Sequence, residues 1–130
     1  MKKIFWFICL TAVSFTFFSC DDDDDDPTNT EIISKTWRVG TYTVQDGVEG
    51  TDRSGYTFTF TTAGTYTFNT PSAVTGTWQF LSGSQDRVIV LDSSEQVDVL
   101  GLTATSLILE FESPTFKDPN RTIRYDLVPN

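Results

Sequence analysis

The chain has 130 residues, enough for one domain with a hydrophobic core of its own. Its formal net charge of −9 excludes a protein that binds nucleic-acid phosphates, because such proteins carry clustered Lys and Arg. The chain has no His, which removes the most common general base and metal ligand, and both of its Cys residues lie within the first 20 positions.

Residues 1–19 predict a lipoprotein signal peptide. Lys2 and Lys3 give a positive start, and the apolar run that follows, residues 4–18, is shorter than the roughly 20 residues of a membrane-spanning helix. The run ends at Ser19-Cys20, which resembles the cleavage box of bacterial lipoproteins. The resemblance implies that Cys20 becomes the first residue and carries palmitate or a similar acyl chain. An uncleaved membrane anchor or a plain secretory signal is the alternative.

Residues 20–30 predict a solvated tether between the lipid and the folded domain. Adjacent carboxylates repel one another and keep such a segment extended, so a plain spacer is one interpretation. An acidic run directly after a lipidated Cys also resembles the surface-export signals of Bacteroidota lipoproteins. That resemblance implies display on the outer face of the outer membrane, with the periplasmic face as the alternative. The residues of this sorting signal are Asp21, Asp22, Asp23, Asp24, Asp25 and Asp26.

Residues 31–130 predict an all-β domain in which aromatic residues alternate with Thr. Tyr56, Phe58 and Phe60 show the pattern, which gives a strand one aromatic face and one polar face. A short helical turn at residues 32–35 is expected to plug one end of the domain. The eight predicted strands are 37–44, 56–60, 65–69, 76–81, 87–91, 96–100, 106–112 and 122–128.

The connections between these strands are short, which favours antiparallel pairing of neighbours along the chain. Closing such a meander removes both unpaired edges. The sequence therefore predicts a small eight-stranded up-and-down antiparallel barrel.

Several features resemble the lipocalin-like domains of small Bacteroidota lipoproteins. They are Trp37 early in the first strand, the aromatic hairpin that ends in Gly64, the segment Gly76-Thr77-Trp78, and the run at residues 102–107. The resemblance covers about residues 34–130 and implies an eight-stranded barrel with a lipid anchor. True lipocalins begin the first strand with Gly-x-Trp and pack an Arg of the last strand on that Trp. Here Lys35 stands in place of the Gly and Arg124 is out of phase with the inward residues, so this Trp–Arg contact is not carried over.

The large inward rings predict a barrel interior filled mostly by its own side chains, with a narrow apolar pocket at one mouth as the alternative. Two polar loops, residues 45–54 and 113–120, are placed to bind at a barrel mouth or to act only as linkers. Phe116, between two prolines, either folds back as a lid or is displayed. The candidate ligand contacts are Trp37, Tyr56, Trp78 and Phe116.

The strand at residues 87–91 is apolar on both faces. We expect Ile89 and Leu91 to face solvent, a neighbouring molecule or the tether, and so to mark an interaction patch.

Catalysis has little support in the sequence. Outside the N-terminal segment no Cys or His is present for nucleophilic chemistry, and no phosphate loop is found. Glu110 and Glu112 alternate with inward residues, so they predict a solvated outer face and not a glycosidase pair. We expect a protein that is not an enzyme and has no catalytic residues, no cofactor and no metal.

Together these patterns predict a monomeric surface lipoprotein, anchored in the outer membrane, whose barrel binds a small apolar or glycan ligand near residues 45–54. The alternative is a protein-interaction or inhibitor module that works through its loops and through Ile89 and Leu91. Nucleic acid is not an expected partner.

Overall fold

The computed structural model describes residues 25–45, 52–112 and 121–130. The predictions for the signal peptide, Cys20, the first four aspartates and Phe116 lie outside the described residues. In chain order the elements are α1 (Asn29–Ile33), β1 (Thr36–Val44), β2 (Thr57–Phe60), β3 (Thr65–Thr70), β4 (Ser72–Phe80), β5 (Val88–Leu91), β6 (Glu95–Thr103), β7 (Ser106–Glu112) and β8 (Thr122–Pro129).

The eight strands form one closed antiparallel barrel in which each strand pairs with its neighbours along the chain. β8 returns to pair with β1, from Trp37 opposite Pro129 to Val44 opposite Ile123. This confirms the all-β class and the eight-stranded up-and-down barrel.

Alternation of aromatic and polar residues determines which face of each strand lies inside. Phe58 is opposite Phe68, and Phe60 is opposite Tyr66, in the β2–β3 pair. All four are buried, whereas the intervening Thr residues are partly or fully exposed. Burying one such large side chain contributes roughly 1.5–3 kcal/mol to folding, so these rings are a major part of the core.

Two irregularities in strand pairing keep the apolar side chains of the longer strands pointing inward. In β1 the register shifts between Val39 and Thr41, and in β6 it shifts between Val99 and Gly101. The additional residue at each bulge changes the phase of inward and outward side chains. The residue at the second bulge is Leu100, which is half exposed.

α1 closes one end of the barrel, here called the closed end. Its first turn is fixed by a capping box, in which Thr28 accepts from the backbone N–H of Glu31 and the Glu31 carboxylate accepts from the N–H of Thr28. The N–H of Thr28, and then its hydroxyl, donate to the Glu31 carboxylate and lower the pKa of Glu31. The cap also starts the helix at Asn29, three residues before the predicted helical turn. Ile33 is fully buried, and its carbonyl accepts from the indole N–H of Trp37 at 2.9 Å.

The structure contradicts the prediction that Ile89 and Leu91 face outward. They are 0% and 2% exposed, respectively. Leu91 is opposite Trp78 and Ile89 is opposite Phe80, so the β4–β5 register turns both toward the interior. The apolar character of both faces of β5 hid its phase, and these residues form no interaction patch.

The buried core of the described chain runs from Ile33 to Leu127 as one hydrophobic cluster. All eight strands and the cap of α1 lie within residues 25–130. A closed sheet around a continuous core has the interactions of an independent folding unit. Among the described residues, no helix is long and apolar enough to cross a membrane.

Candidate functional site

The end of the barrel opposite α1, here called the open end, contains a cavity of about 360 Å³. It lies where β1, β3, β5 and β7 end and the even-numbered strands begin. We call it the mouth pocket. Its lining residues are Arg53, Tyr56, Phe58, Phe68, Thr70, Glu95, Phe111, Glu112, Ile123 and Tyr125.

The floor of the mouth pocket is a group of packed aromatic rings. The Phe58 centroid lies 4.7 Å from that of Phe68 and 5.1 Å from that of Tyr125. Phe111 lies 6.0 Å from Phe68 and 5.7 Å from Tyr125, both in edge-to-face geometry. Aromatic pairs in this arrangement are favourable beyond the area they bury. The floor is therefore apolar and held in place by its own contacts.

Below the floor, the barrel is filled by its own side chains. Phe60 and Phe80 each pack edge-to-face on Trp78, at 5.4 Å between centroids. Trp37 and Trp78 are 0% and 5% exposed. The interior of the barrel is thus filled toward the closed end, and its unfilled volume lies at the open end.

Arg53 is the cationic residue of the mouth pocket. An Asp52 oxygen accepts from the N–H of Ser54 at 2.9 Å, and the carbonyl of Arg53 accepts from the N–H of Tyr56 at 3.1 Å. The first bond lowers the pKa of Asp52. This turn holds the Arg53 guanidinium 5.8 Å from the ring centroids of both Tyr56 and Tyr125. These are cation–π distances, so the two tyrosines position the charge.

The hydroxyl of Tyr125 joins this charge to the aromatic floor. It accepts a hydrogen bond from Nη1 of Arg53 at 2.5 Å. Burial raises the pKa of Tyr125, and the nearby guanidinium opposes that rise. The phenol is therefore neutral at pH 7. A guanidinium has five N–H donors, and in the described contacts of Arg53 one of them is used.

Two carboxylates, Glu95 and Glu112, complete the rim of the mouth pocket. Within the described part of the chain, Arg124 and Asp126 form an ion pair at 3.1 Å. Arg53 forms no such pair there with Glu95 or Glu112. The rim thus presents a cation and two anions separately above an apolar floor.

A larger depression, about 590 Å³, lies on the outer wall of β6 and β7. Asp98 and Glu110, which are directly opposite each other in the sheet, line it together with Glu95 and Glu112. It has no aromatic floor and faces solvent. Among the described residues, no group of three or more acidic side chains is placed to hold a metal ion. We therefore take the mouth pocket as the candidate site.

The structure separates the predicted ligand contacts. Tyr56 lines the mouth pocket. Trp37 and Trp78 do not line it: both are buried in the filled part of the barrel, with the indole N–H of Trp78 donating to the carbonyl of Thr61 at 3.0 Å. Phe116 lies outside the described residues, so its contact stays a prediction. Glu110 projects from the outer wall, as its alternation predicted, whereas Glu112, at the end of β7, lines both the outer wall and the rim of the mouth pocket.

Arg53 was missed in the sequence because it lies in a polar loop with no periodic pattern. The signal that could have identified it is the turn sequence Asp52-Arg53-Ser54-Gly55, directly before the aromatic strand. The alternation around Phe58 predicted an aromatic inner face, but the grouping of Phe58, Phe68 and Tyr125 at one end depends on strand register. Comparison with protein-family models, curated proteins and solved structures finds no match to this chain.

Proposed function

We propose that this protein is a membrane-anchored surface lipoprotein whose lipocalin-like barrel acts as a non-catalytic binding module. The ligand we propose is a small apolar or glycan molecule held in the mouth pocket. One observation carries the proposal: the barrel is filled at one end and has an aromatic-floored cavity at the other. Apolar cavities with a few placed polar groups are typical ligand sites.

The size and chemistry of the mouth pocket limit which ligands fit it. A volume near 360 Å³ is at the small end of the range for ligand pockets, so the ligand is the size of one or two rings. Above the buried rings of Phe58 and Phe68, the partly buried rings of Tyr56 and Phe111 offer aromatic surface to an apolar body or to the C–H face of a sugar. Arg53 and the hydroxyl of Tyr125 offer directed polar contacts to one end of that ligand.

A fluorescent dye tests the mouth pocket directly. We expect 8-anilinonaphthalene-1-sulfonate, an aromatic anion, to gain fluorescence with the chain from Asp25 to Asn130. Tyr56→Ala is expected to weaken this binding about tenfold, because it removes one wall and one cation–π partner of Arg53. Thr57→Ala, one residue away on the other face of the strand, is the matched control. Equal binding by both variants would contradict a site at the open end.

The anchor is tested at Cys20. One acyl chain binds membranes only marginally, at about 0.8 kcal/mol per buried methylene, so stable residence needs two or more. Cys20→Ser is expected to leave uncleaved precursor and to incorporate no labelled palmitate. Cys9→Ser is the matched control and should be processed normally. Palmitate uptake by the Cys20 variant would show that the anchor is elsewhere.

The sorting role of residues 21–26 is tested by replacing all six aspartates with Ala. We expect lipidation to continue and surface display to be lost, as measured by protease treatment of intact cells. Replacement with six Glu keeps the charge and is expected to keep display. If the Ala variant is cleaved as readily as the unmodified protein, the run is a spacer.

A further inference from the structure

The barrel wall has a gap at the open end, beside the first half of β4. β4 pairs with β3 over residues 72–77, from Ser72 opposite Thr70 to Thr77 opposite Thr65. With β5 it pairs only at Trp78, Gln79 and Phe80. Among the described residues, the segment 72–76 therefore has a sheet neighbour on one side and none on the other.

The gap begins at Asp92, where the chain turns from β5 into β6. The N–H of Asp92 donates to the carbonyl of Thr77, and the Asp92 carboxylate accepts from the N–H of Thr77, both at 2.9 Å. The same carboxylate accepts from the Tyr66 hydroxyl at 2.7 Å. It occupies the space above Gly76, where any side chain would collide with it. The bonds of Asp92 with Thr77 are therefore the last ones between β4 and the β5 side, and the pairing ends there.

The direction of the unpaired backbone groups follows from these bonds. The N–H of Trp78 donates toward β3, to the carbonyl of Gly64, whereas Thr77 bonds toward β5. Backbone groups alternate in direction along a strand, so Thr75 and Ala73 point the same way as Thr77. Their N–H and C=O groups face the gap.

The residues of this edge do not block pairing with another strand. Residues 72–76 carry no charged side chain and no Pro. Charged residues, Pro and bulges are the usual means by which exposed edges avoid pairing with other chains. Val74, on the same face as Phe68, is half exposed.

The gap lies beside the mouth pocket. Thr70, at the end of β3, and Glu95, at the start of β6, both line that pocket, and the unpaired edge lies between these two elements. A strand added to β4 there would turn its inward side chains toward the aromatic floor. Asp92 and Glu95 would lie at one end of it.

We propose that residues 72–76 are a docking edge for an extended segment of a partner protein. The segment adds a strand to β4 by backbone hydrogen bonds to Ala73 and Thr75, and places an apolar side chain over the mouth pocket. It carries Lys or Arg at its end, because Asp92 lies where the gap begins and Glu95 and Glu112 line the adjoining rim. A second copy of this chain fits less well, because its own segment 72–76 supplies no cation and the chain is acidic overall.

The probe for this edge is the capped peptide Ac-KTFTVTK-NH2, titrated into the chain from Asp25 to Asn130. We expect saturable binding, with amide hydrogen exchange slowed at Ala73 and Thr75. The amide of Val74 is an internal control, because it already faces β3 and should change little. The peptide Ac-ETFTVTE-NH2 is expected to bind about tenfold more weakly because of charge repulsion.

A pair of variants separates edge pairing from binding in the mouth pocket. Thr75→Pro removes an edge N–H without removing a bond to β3, and is expected to weaken peptide binding about tenfold. Thr75→Val keeps the N–H and should bind normally. Both should bind the anilinonaphthalene dye as the unmodified chain does, which also shows that they are folded.

Three outcomes would overturn this inference. One is no saturable peptide binding up to about 1 mM while the dye still binds, which leaves the proposed function standing. Another is equal peptide binding by the Pro and Val variants. The third is self-association of the chain without peptide, protecting Ala73 and Thr75 and abolished by Thr75→Pro, which would make a second copy the occupant. If the unmodified chain binds the peptide but not the dye, that result would instead contradict the proposed function.

Discussion

The closed end and the open end of this barrel are built from the same eight strands but use their apolar residues differently. At the closed end, α1 covers the interior, and Ile33, Trp37 and Leu107 are fully buried. At the open end, Tyr56 and Phe111 are only partly buried and line a cavity. Apolar surface that is packed contributes to stability, whereas apolar surface left at a cavity is available to a ligand. We therefore expect substitutions at the two ends to affect different properties.

The largest effect is expected at the closed end. Trp37→Ala removes a fully buried ring, its hydrogen bond to Ile33 and its contact with the Lys35 ammonium, 5.0 Å from the ring centroid. Such a change costs about 3–5 kcal/mol in a packed core, out of the roughly 5–15 kcal/mol that a domain has. Urea unfolding of the chain from Asp25 to Asn130 measures it.

The matching substitution at the open end is Tyr56→Ala. Tyr56 is partly buried at the cavity, so we expect a loss of about 1 kcal/mol or less in the free energy of unfolding. Its main effect should be on dye binding. If Tyr56→Ala destabilises the protein as much as Trp37→Ala, the apolar residues of the open end contribute to stability as much as those of the closed end, and the contrast is wrong.

Which side chains lie inside the barrel was largely predictable from the sequence, because it depends on alternation. The aromatic-Thr pattern around Phe58 and Phe68 predicted the strands, their inward faces and a mostly filled interior. Position along the barrel was not predictable, because it depends on register and on the bulges at Gly40 and Leu100, which leave no periodic signal. The same limit explains the wrong prediction for Ile89 and the missed extension of β4 before Gly76. There the residues are small and polar, and backbone pairing with β3 alone makes them a strand.

An intermediate effect is expected at the boundary of the gap, where Tyr66 donates to Asp92. Burial, and then the neighbouring carboxylate, raise the pKa of Tyr66 to about 12. The folded state holds this proton more tightly than the unfolded chain, whose Tyr titrates near 10. The resulting stabilisation is complete below pH 10 and is lost as the pH rises through about 12. Tyr66→Phe should show a smaller loss of stability across that window in urea unfolding.

Asp92 gives the opposite dependence on pH. The N–H of Thr77, and then the hydroxyl of Tyr66, lower the pKa of Asp92 from its usual 3.8. Its stabilisation is present above that value and is lost as the pH falls below it. Asp92→Asn is the control, because it should remove this acidic dependence. If the free energy of unfolding of Tyr66→Phe falls with alkaline pH as much as that of the unmodified chain, the contact of Tyr66 on β3 with Asp92 in the β5–β6 turn is contradicted.

A smaller and more selective effect is expected from Arg53→Gln. The change removes the cation of the mouth pocket but keeps a polar side chain of similar length. Binding of the sulfonate dye should weaken about fivefold, because a charge-assisted hydrogen bond is lost. The uncharged dye N-phenyl-1-naphthylamine is the matched control and should bind nearly as before. Equal weakening of both dyes would mean that Arg53 supports the shape of the pocket and does not recognise charge.

The smallest effect is expected on the outer wall, at a residue that does not line the mouth pocket. Asp98 and Glu110 are directly opposite each other on β6 and β7, and like charges in that position are unfavourable. Asp98→Lys replaces repulsion with attraction, so we expect a gain of about 0.2–1 kcal/mol in the free energy of unfolding. The gain should shrink at high salt, because exposed charges are screened. Dye binding should be unchanged, since Asp98 does not line the mouth pocket. Altered dye binding in this variant would show that the acidic wall acts on the open end, and that the site extends beyond the aromatic floor.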